Sequence, residues 1–551
     1  MRYFISCLLG LLIIGLFTGN SQAQLITLRG TVIDQSTGTP LPYSTLTLKQ
    51  TPRGVIANAE GMFEIKIPLK AFAHEVLRIS CIGYYSLGVE LSTLDTAAQQ
   101  VFYLKEHPYE LSEVLIVPQE LTADQLVDKA MAKIPENYPT TPYQLKTFYR
   151  HYCKEGSTYG RLIEAAVTLY DKKGFRKTYE KASAKYQLRV DELRRTYDFT
   201  SMYSGTHLPI SLNNVIEDDL ISFEGIWYKK RSEYTFHFVD TTYYDNRLVW
   251  VVEAKFRPKA PTKIRYYIAA DDLAFLKIAY EYEFMSAYRH PSSQGRLEET
   301  MRHESVVTYR YHEGKYYFGH CLDEGTRVRY EFDTYEKLVE KDTHQHHIEL
   351  MTNEIITDKV KGFRGKEPDR TELAKMAYHP EFWESYSVLK ATPLENRIVA
   401  DLAARMPLED QYEESYQNSG LLSFTHAASL EQMLKPFWDK PIYLQFYDRV
   451  NMKKLNAARK LGYNYARSGI MFFFVYVDRD GKGLPAIIKK QDKVMRSGML
   501  VTTPANSPLL KSYGITELPA FRWLESGDDV RPAAAPDEDL IHEEITTRLG
   551  E

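Results

Sequence analysis

The stretch Thr343-His344-Gln345-His346-His347-Ile348-Glu349-Leu350 places three imidazoles within four positions. If it is extended, His344 and His346 share one face and His347 takes the other. Paired imidazoles on one face suit a transition metal. Two ligands do not make a site, however, and the sequence identifies no third. Histidine clusters also occur on exposed strand edges, so no metal ligand is assigned. H-E-x-x-H, G-x-S-x-G and a glycine-rich phosphate loop are all missing from the chain, and with them the hydrolase and nucleotide chemistry they support. Carboxylates are plentiful, but none stands out as a catalytic pair. The expectation is a protein that is not an enzyme, with no catalytic residue and no cofactor.

Thiol chemistry is equally constrained. The four cysteines are Cys7, Cys81, Cys153 and Cys321. The first lies in "MRYFISCLLGLLIIGLFTGNSQAQ", with a basic Arg2, an apolar run from Phe4 to Phe17, and Ser21-Gln22-Ala23. That pattern reads as a secretory signal peptide cut after Ala23. The run is too short for a comfortable membrane span, and Cys7 lies too early to be a lipid-attachment cysteine. Export leaves three cysteines, an odd number. Leu77, Ile79 and Cys81 fall on one face of an extended reading, so Cys81 is expected to be a small core residue.

At 551 residues, three or four domains are expected. Hydrophobic content of 44% and charged content of 26% describe a globular chain. A formal charge of −4 supplies no basic excess for nucleic acid or acidic lipid. No later segment reaches about 18 uninterrupted apolar residues, so no transmembrane span is expected in the mature chain.

Four regions follow the signal. Residues 24–117 show short strands with regular turn punctuation, which predicts an all-β sandwich. Residues 118–365 begin with a helix, capped by Thr122, with Asp124 in its first turn, a stripe of Leu126, Ala130 and Ile134, and a stop at Pro135 and Pro139. Tyr-rich runs then read as strand, polar turn, strand: "YTFHFVDTTYYDNRLVWVVEAKF", "TKIRYYIAADDLAFLKIAYEYEF" and "SVVTYRYHEGKYYFGHCLDEGTRVRYEF". Such hairpins predict a broad antiparallel sheet. Residues 366–418 read as a helical connector in which Phe382 and Trp383 pack. Residues 419–551 alternate helix and strand. "GIMFFFVYVDRD" is nearly continuous in apolar character, as a buried parallel strand requires.

The first region resembles the carboxypeptidase regulatory-like domain, a transthyretin-like sandwich. The residues that carry the resemblance are Gly30, Val32, Asp34, Thr37-Gly38, Pro40-Leu41-Pro42, Asn58, Gly61, Phe63 and Gly83-Tyr84. That module has no peptidase centre, so peptidase activity is not implied. Because the module often precedes outer-membrane receptors, it implies the periplasm or cell envelope of a Gram-negative bacterium, with outer-membrane association possible. The segment Leu111–Val117 resembles the strand that follows it there and is read as a linker strand.

The last region resembles a thioredoxin-like domain, with Leu518-Pro519 in "YGITELPAF" at the cis-proline position. The catalytic pair should follow the strand Ile442–Phe446, where the chain reads Tyr447-Asp448-Arg449-Val450-Asn451-Met452. No cysteine occurs after Cys321. Thiol–disulfide exchange needs a thiolate, so only the fold is expected to survive. The resemblance leaves a candidate partner groove lined by Tyr447, Arg449, Met452, Leu518 and Pro519. The expected function is binding or assembly with an envelope protein partner. Two alternatives stay open: a carrier holding an apolar ligand on the central sheet, and a thiol–disulfide accessory protein using Cys153 or Cys321.

Overall fold

A computed structural model describes residues 25–107, 121–156, 158–175, 186–196, 233–256, 262–289, 296–332, 338–363, 376–390, 393–403, 421–423, 441–451, 453–454, 457–458, 470–480, 499–504, 508–524, 530–536 and 540–549, with single positions between them. The signal segment, Leu111–Val117 and Met452 lie outside the described residues. The chain forms two compact units. One comprises Met1–Pro108 with Tyr243–Asn246 and Glu381–Lys390, and the other comprises the rest.

The first unit holds β1 (Leu25–Asp34), β2 (Thr45–Leu48), β3 (Gly54–Ile56), β4 (Met62–Pro68), β5 (Val76–Ser80), β6 (Leu87–Glu90) and β7 (Gln100–Leu104). They form two sheets, ordered β4-β1-β7 and β3-β2-β5-β6. Alternation along β1 buries Leu28 and Val32 and exposes Arg29. Leu46, Leu48, Leu77 and Ile79 of the other sheet are buried too, and Phe63 stacks on Phe102 with centroids 5.8 Å apart. The Asn-Ala-Glu-Gly turn is held by Asn58, whose Oδ1 accepts from the backbone N–H groups of Glu60 and Met62, each at 2.9 Å. Tyr84 donates its hydroxyl to Asp34 at 2.8 Å, so two of the residues behind the resemblance meet. Cys81 falls just past the end of β5 and is only half-buried, which corrects its expected core position. The Ser387–Lys390 segment lies beside β4 and the turn before it: the Lys66 N–H donates to Ser387 Oγ at 3.1 Å, and Asn58 Nδ2 donates to the Lys390 carbonyl at 2.8 Å.

The second unit opens with α1 (Ala123–Asn137). Thr122 and Gln125 form a reciprocal capping box. The helix runs past Pro135 and closes with Tyr138 N–H on the Ile134 carbonyl at 2.9 Å. Pro135 therefore does not end it, because in the last turn the missing N–H removes one bond while the buried Leu126, Ala130 and Ile134 stripe still holds the helix.

The central sheet has ten strands: β8 (Tyr143–Glu155), β9 (Thr158–Asp171), β10 (Tyr186–Arg195), β11 (Tyr234–Tyr244), β12 (Arg247–Phe256), β13 (Thr262–Ala269), β14 (Phe275–Arg289), β15 (Arg296–His312), β16 (Lys315–Phe332) and β17 (Leu338–Ile356). Their order is β10-β9-β8-β17-β16-β15-β14-β13-β12-β11. The hairpin turns fall where the polar dipeptides are. Asp245 and Asn246 both take positive φ, as do Glu313 and Gly314, which matches the twist of tight hairpins. β17 does not simply continue the meander. It pairs antiparallel with β16 on one side and with β8, the first strand, on the other.

Two helices follow in sequence, α2 (Pro380–Ser385), which belongs to the first unit from Glu381 on, and α3 (Pro393–Ala403), which belongs to the second. Trp383 is buried and Phe382 stacks on Tyr386 at 5.1 Å, so both pack as expected. Ile398 and Leu402 of α3 pack with Tyr152, Tyr159 and Leu162 of the sheet.

The last sheet contains β18 (Leu421–Ser423), β19 (Ile442–Tyr447), β20 (Met471–Asp478), β21 (Met499–Pro504), β22 (Ala520–Leu524) and β23 (Val530–Pro532) in the order β18-β21-β20-β19-β22-β23. The first four in that order are parallel; β22 and β23 turn antiparallel. Both faces are buried. Ile442, Leu444 and Phe446 join Phe473 and Val475 on one side, while Tyr443 joins Phe472, Trp523, Ile541 and Ile545 on the other. The second cluster includes α5 (Leu540–Leu549), introduced after the short α4 (Pro508–Ser512). The Leu518–Pro519 peptide bond is cis.

Gly30 explains one of the resemblance positions. It pairs with Phe63 and with Gln100 on its two sides. A Cβ there would lie 2.4 Å from the Gln100 carbonyl oxygen and 2.9 Å from the Phe63 ring. The expected outcome for Gly30→Ala is a loss of about 1–3 kcal/mol from overpacking, against less than about 0.5 kcal/mol for the exposed Lys70→Ala, read by denaturant unfolding.

Candidate functional site

Parallel α/β sheets offer ligands the ends of their strands at the carboxyl edge. At that edge β19 ends in Tyr447 and β20 ends in Asp478. Because Phe446 pairs with Ala520, the Leu518-Pro519 loop runs beside Tyr447 and Asp448. The structure thus brings four of the five expected groove residues to one edge; Met452 lies outside the described residues. Arg449 and Pro519 are exposed and Leu518 is half-buried against the core.

Tyr447 does not line a groove. It is 2% exposed, stacked on Phe474 at 4.8 Å and edge-on to Phe521 at 5.8 Å. Phe474 of β20 and Phe521 of β22 close over the ring, which sequence reasoning places at a groove. Two neighbours escaped that reasoning. Asp448 pairs with Arg479 at 2.8 Å. Lys454 donates to the Arg449 carbonyl at 3.1 Å and sits 5.4 Å from the Tyr447 ring centre, within cation–π range. The edge therefore carries the basic Arg449, Lys454 and Arg479 together with carboxylates, of which Asp448 is ion-paired with Arg479.

The thiols lie elsewhere. Cys153 is fully buried, with its sulfur 3.3 Å from His151 Nε2 and 3.2 Å from Arg161 Nη2. A guanidinium and an imidazole favour a thiolate, but exchange also needs access to a disulfide. Cys321 is buried as well, near Ser305 Oγ. Its strand partner is Leu350, whereas Cys153 pairs with His346, so register keeps the two sulfurs apart. Among the described residues, no disulfide joins Cys81, Cys153 or Cys321.

The histidine stretch lies on β17 with the expected alternation. His346 faces Asp323 and His347 faces Glu324, consecutive residues on the neighbouring strand. His347 also meets Glu349 at 3.2 Å and stacks on Tyr152 at 4.4 Å. Burial alone would push the His347 pKa down, but Glu349 and Glu324 outweigh it and push it up to about 10. Glu349 is held well below the usual carboxylate range: burial opposes ionisation, and His347 and His320 overcome it. Next along the same face, Glu164 is buried between Arg150 and Arg194. The middle of the sheet is therefore charged.

Residues 28–116 match the family model of the CarboxypepD_reg-like domain. The first unit contains a CarboxypepD_reg-like domain. That domain covers a minor part of the chain and says nothing of the two sheets beyond it. Comparison with curated proteins gives no match. Among solved structures, a Bacteroides vulgatus protein described as a thiol-disulfide oxidoreductase shares 22% identity, with 21% of this chain and 82% of its own covered at a TM-score of 0.18. The MucA/MucB complex of Pseudomonas aeruginosa matches at 10% identity, covering 43% of this chain and 99% of its own, with a TM-score of 0.14. A membrane-associated protein of unknown function from Bacteroides fragilis NCTC 9343 matches at 11%, covering 60% and 98%, with a TM-score of 0.12. Likenesses this slight carry no argument. No described helix is long and apolar enough to cross a membrane.

Tyr447→Ala is expected to cost about 3–5 kcal/mol, as for other buried aromatic truncations, and Arg449→Ala less than about 0.5 kcal/mol; thermal unfolding of each variant checks this. A second expectation concerns pH. A raised folded pKa makes His347 stabilising below its ordinary 6.5, with that contribution lost as pH climbs through about 10. Denaturant unfolding from pH 6 to 10 should show falling stability, and His347→Gln should flatten that slope.

Proposed function

We propose that this chain is an exported, non-enzymatic protein of the Gram-negative cell envelope that binds a protein partner at the carboxyl edge of its C-terminal sheet. On this reading the sheet is a thioredoxin-like domain that has lost its chemistry and kept its recognition edge. The observation that carries it is the juxtaposition at the end of β19: exposed Arg449 and the exposed Pro519 loop stand side by side, with an Asp448–Arg479 ion pair where an exchange enzyme would need a thiol. Recognition of an extended segment uses main-chain hydrogen bonds and a few anchoring side chains. It does not require sulfur.

The charged middle of the ten-stranded sheet weighs against an apolar-ligand carrier. Arg150, Glu164, His347 and Glu349 are all buried there, and an acyl chain would have to lie against them. The burial of Cys153 and Cys321 weighs against a thiol–disulfide accessory role. Outer-membrane association fits the envelope reading through the CarboxypepD_reg-like domain.

The test is site-specific photocrosslinking in intact cells. A crosslinker at Arg449 or Pro519 is expected to give a discrete adduct that a crosslinker at exposed Lys172 does not give. The purified mature chain is expected to show no dithiol-dependent insulin reduction. Equal labelling from all three positions, or insulin turnover that disappears in Cys153→Ser, would overturn the reading.

A further inference from the structure

We propose that His303, Asp323 and His346 form a binding site for one divalent first-row transition-metal ion on the central sheet. His303 on β15, Gly325 on β16 and His346 on β17 are direct strand partners, one row across three strands. Asp323 lies two residues before Gly325, so its side chain points to the same face. The glycine leaves the middle of the row empty. A Cβ at 325 would stand 2.2 Å from the His346 Cε1 atom, so the imidazole occupies space that any other residue would fill. Leaning across that gap, His346 Nε2 reaches Asp323 Oδ1 at 2.8 Å, and His303 Nε2 reaches Oδ2 at 3.0 Å from the other side.

All three donor atoms lie within 4.8 Å of one another. Two ligands on one ion, with bonds of about 2.0–2.2 Å, stand about 3 Å apart when they are adjacent in its coordination sphere. Each imidazole already holds that separation from the carboxylate. Metal binding needs each Nε2 free of its proton, which the imidazole can carry on Nδ1 instead. Two nitrogens and one carboxylate select zinc, cobalt or iron over magnesium and calcium, which prefer oxygen alone.

Burial supports a site with one open side. The Asp323 side chain is 5% exposed, that of His346 14% and that of His303 27%. Water reaches the group from the His303 side, which leaves coordination positions for solvent or a ligand. The competing account is a carboxylate clamped by two imidazoles that ties three strands together and binds nothing.

Titration of the EDTA-treated mature chain with Co²⁺ separates the two accounts. One Co²⁺ per chain is expected, with visible absorption that Zn²⁺ abolishes by displacement. His303→Ala and Asp323→Asn should each weaken Co²⁺ at least tenfold. Gly325→Ala keeps every ligand but displaces the His346 ring, and should weaken it too. His237→Ala, at an exposed position, should change nothing. His303→Gln retains a donor to Asp323 and so preserves the clamp; it should stay folded and lose the metal. An absence of saturable Co²⁺ binding by the unmodified chain, or affinity unchanged in folded His303→Gln, overturns the proposal.

Discussion

The ten-stranded sheet depends on one pairing, that of β17 with β8. Every other neighbour relation from β11 to β17 joins strands consecutive in sequence, and so does the run from β8 to β10. Among the described residues, only the β8–β17 ladder joins the two runs, bringing Tyr149 beside Leu350 from about two hundred positions away. A ladder of such long range costs chain entropy before any contact repays it. Buried polar side chains line this seam and the strands beside it. His347 lies between Tyr152 and Glu349, Arg150 reaches Glu164, and β9 extends the same network to Arg194 on β10. A buried ion pair adds little net stability over apolar packing, but leaving one member alone is costly. A slip of β17 by one residue would exchange its two faces and strand His347 and Glu349, the two of these charges that lie on it. The seam thus specifies register more than it adds stability.

That division accounts for what could be read from the sequence. Strand identity and turns are local properties, and they were legible: Asp245-Asn246 and Glu313-Gly314 form turns where the polar dipeptides interrupt alternating runs. The Thr122 cap was legible for the same reason, because Gln125 is three residues away. The alternation of His346 and His347 was legible as well, since period two assigns faces without reference to any neighbour. Their partners were not. Asp323 and His303 stand 23 and 43 positions upstream of His346, and irregularities between Thr308 and Tyr309 and between Glu331 and Phe332 shift the ladders on the way. No count of residues along the chain predicts which carboxylate will face which imidazole across two such irregularities.

Tyr447 failed for a related reason. A tyrosine at a strand end, followed by Asp-Arg, reads as exposed. The stacked ring of Phe474 and the edge of Phe521 come from β20 and β22, and only the sheet order puts both beside it. Pro135 shows the opposite error. Local rules end the helix there, but burial of Ile134 and the Tyr138 N–H bond carry it on to Asn137.

Gly325 joins these threads. It lies on β16 in the run "CLDEGTRVRYEF", where a glycine weakens strand propensity and ordinarily signals a bulge. Here the ladder passes through it without a shift, pairing it with His303 and His346. A residue with a side chain would favour the strand more and would fill the gap between the two imidazoles. The sheet therefore accepts a poorer strand former at the one position where a side chain would part His346 from Asp323. Among the described residues of that row, the local rule of strand propensity yields to the placement of three polar groups. A conflict between local preference and global arrangement, in a fold otherwise consistent at both levels, is the pattern expected where a sequence serves a site and not only a structure.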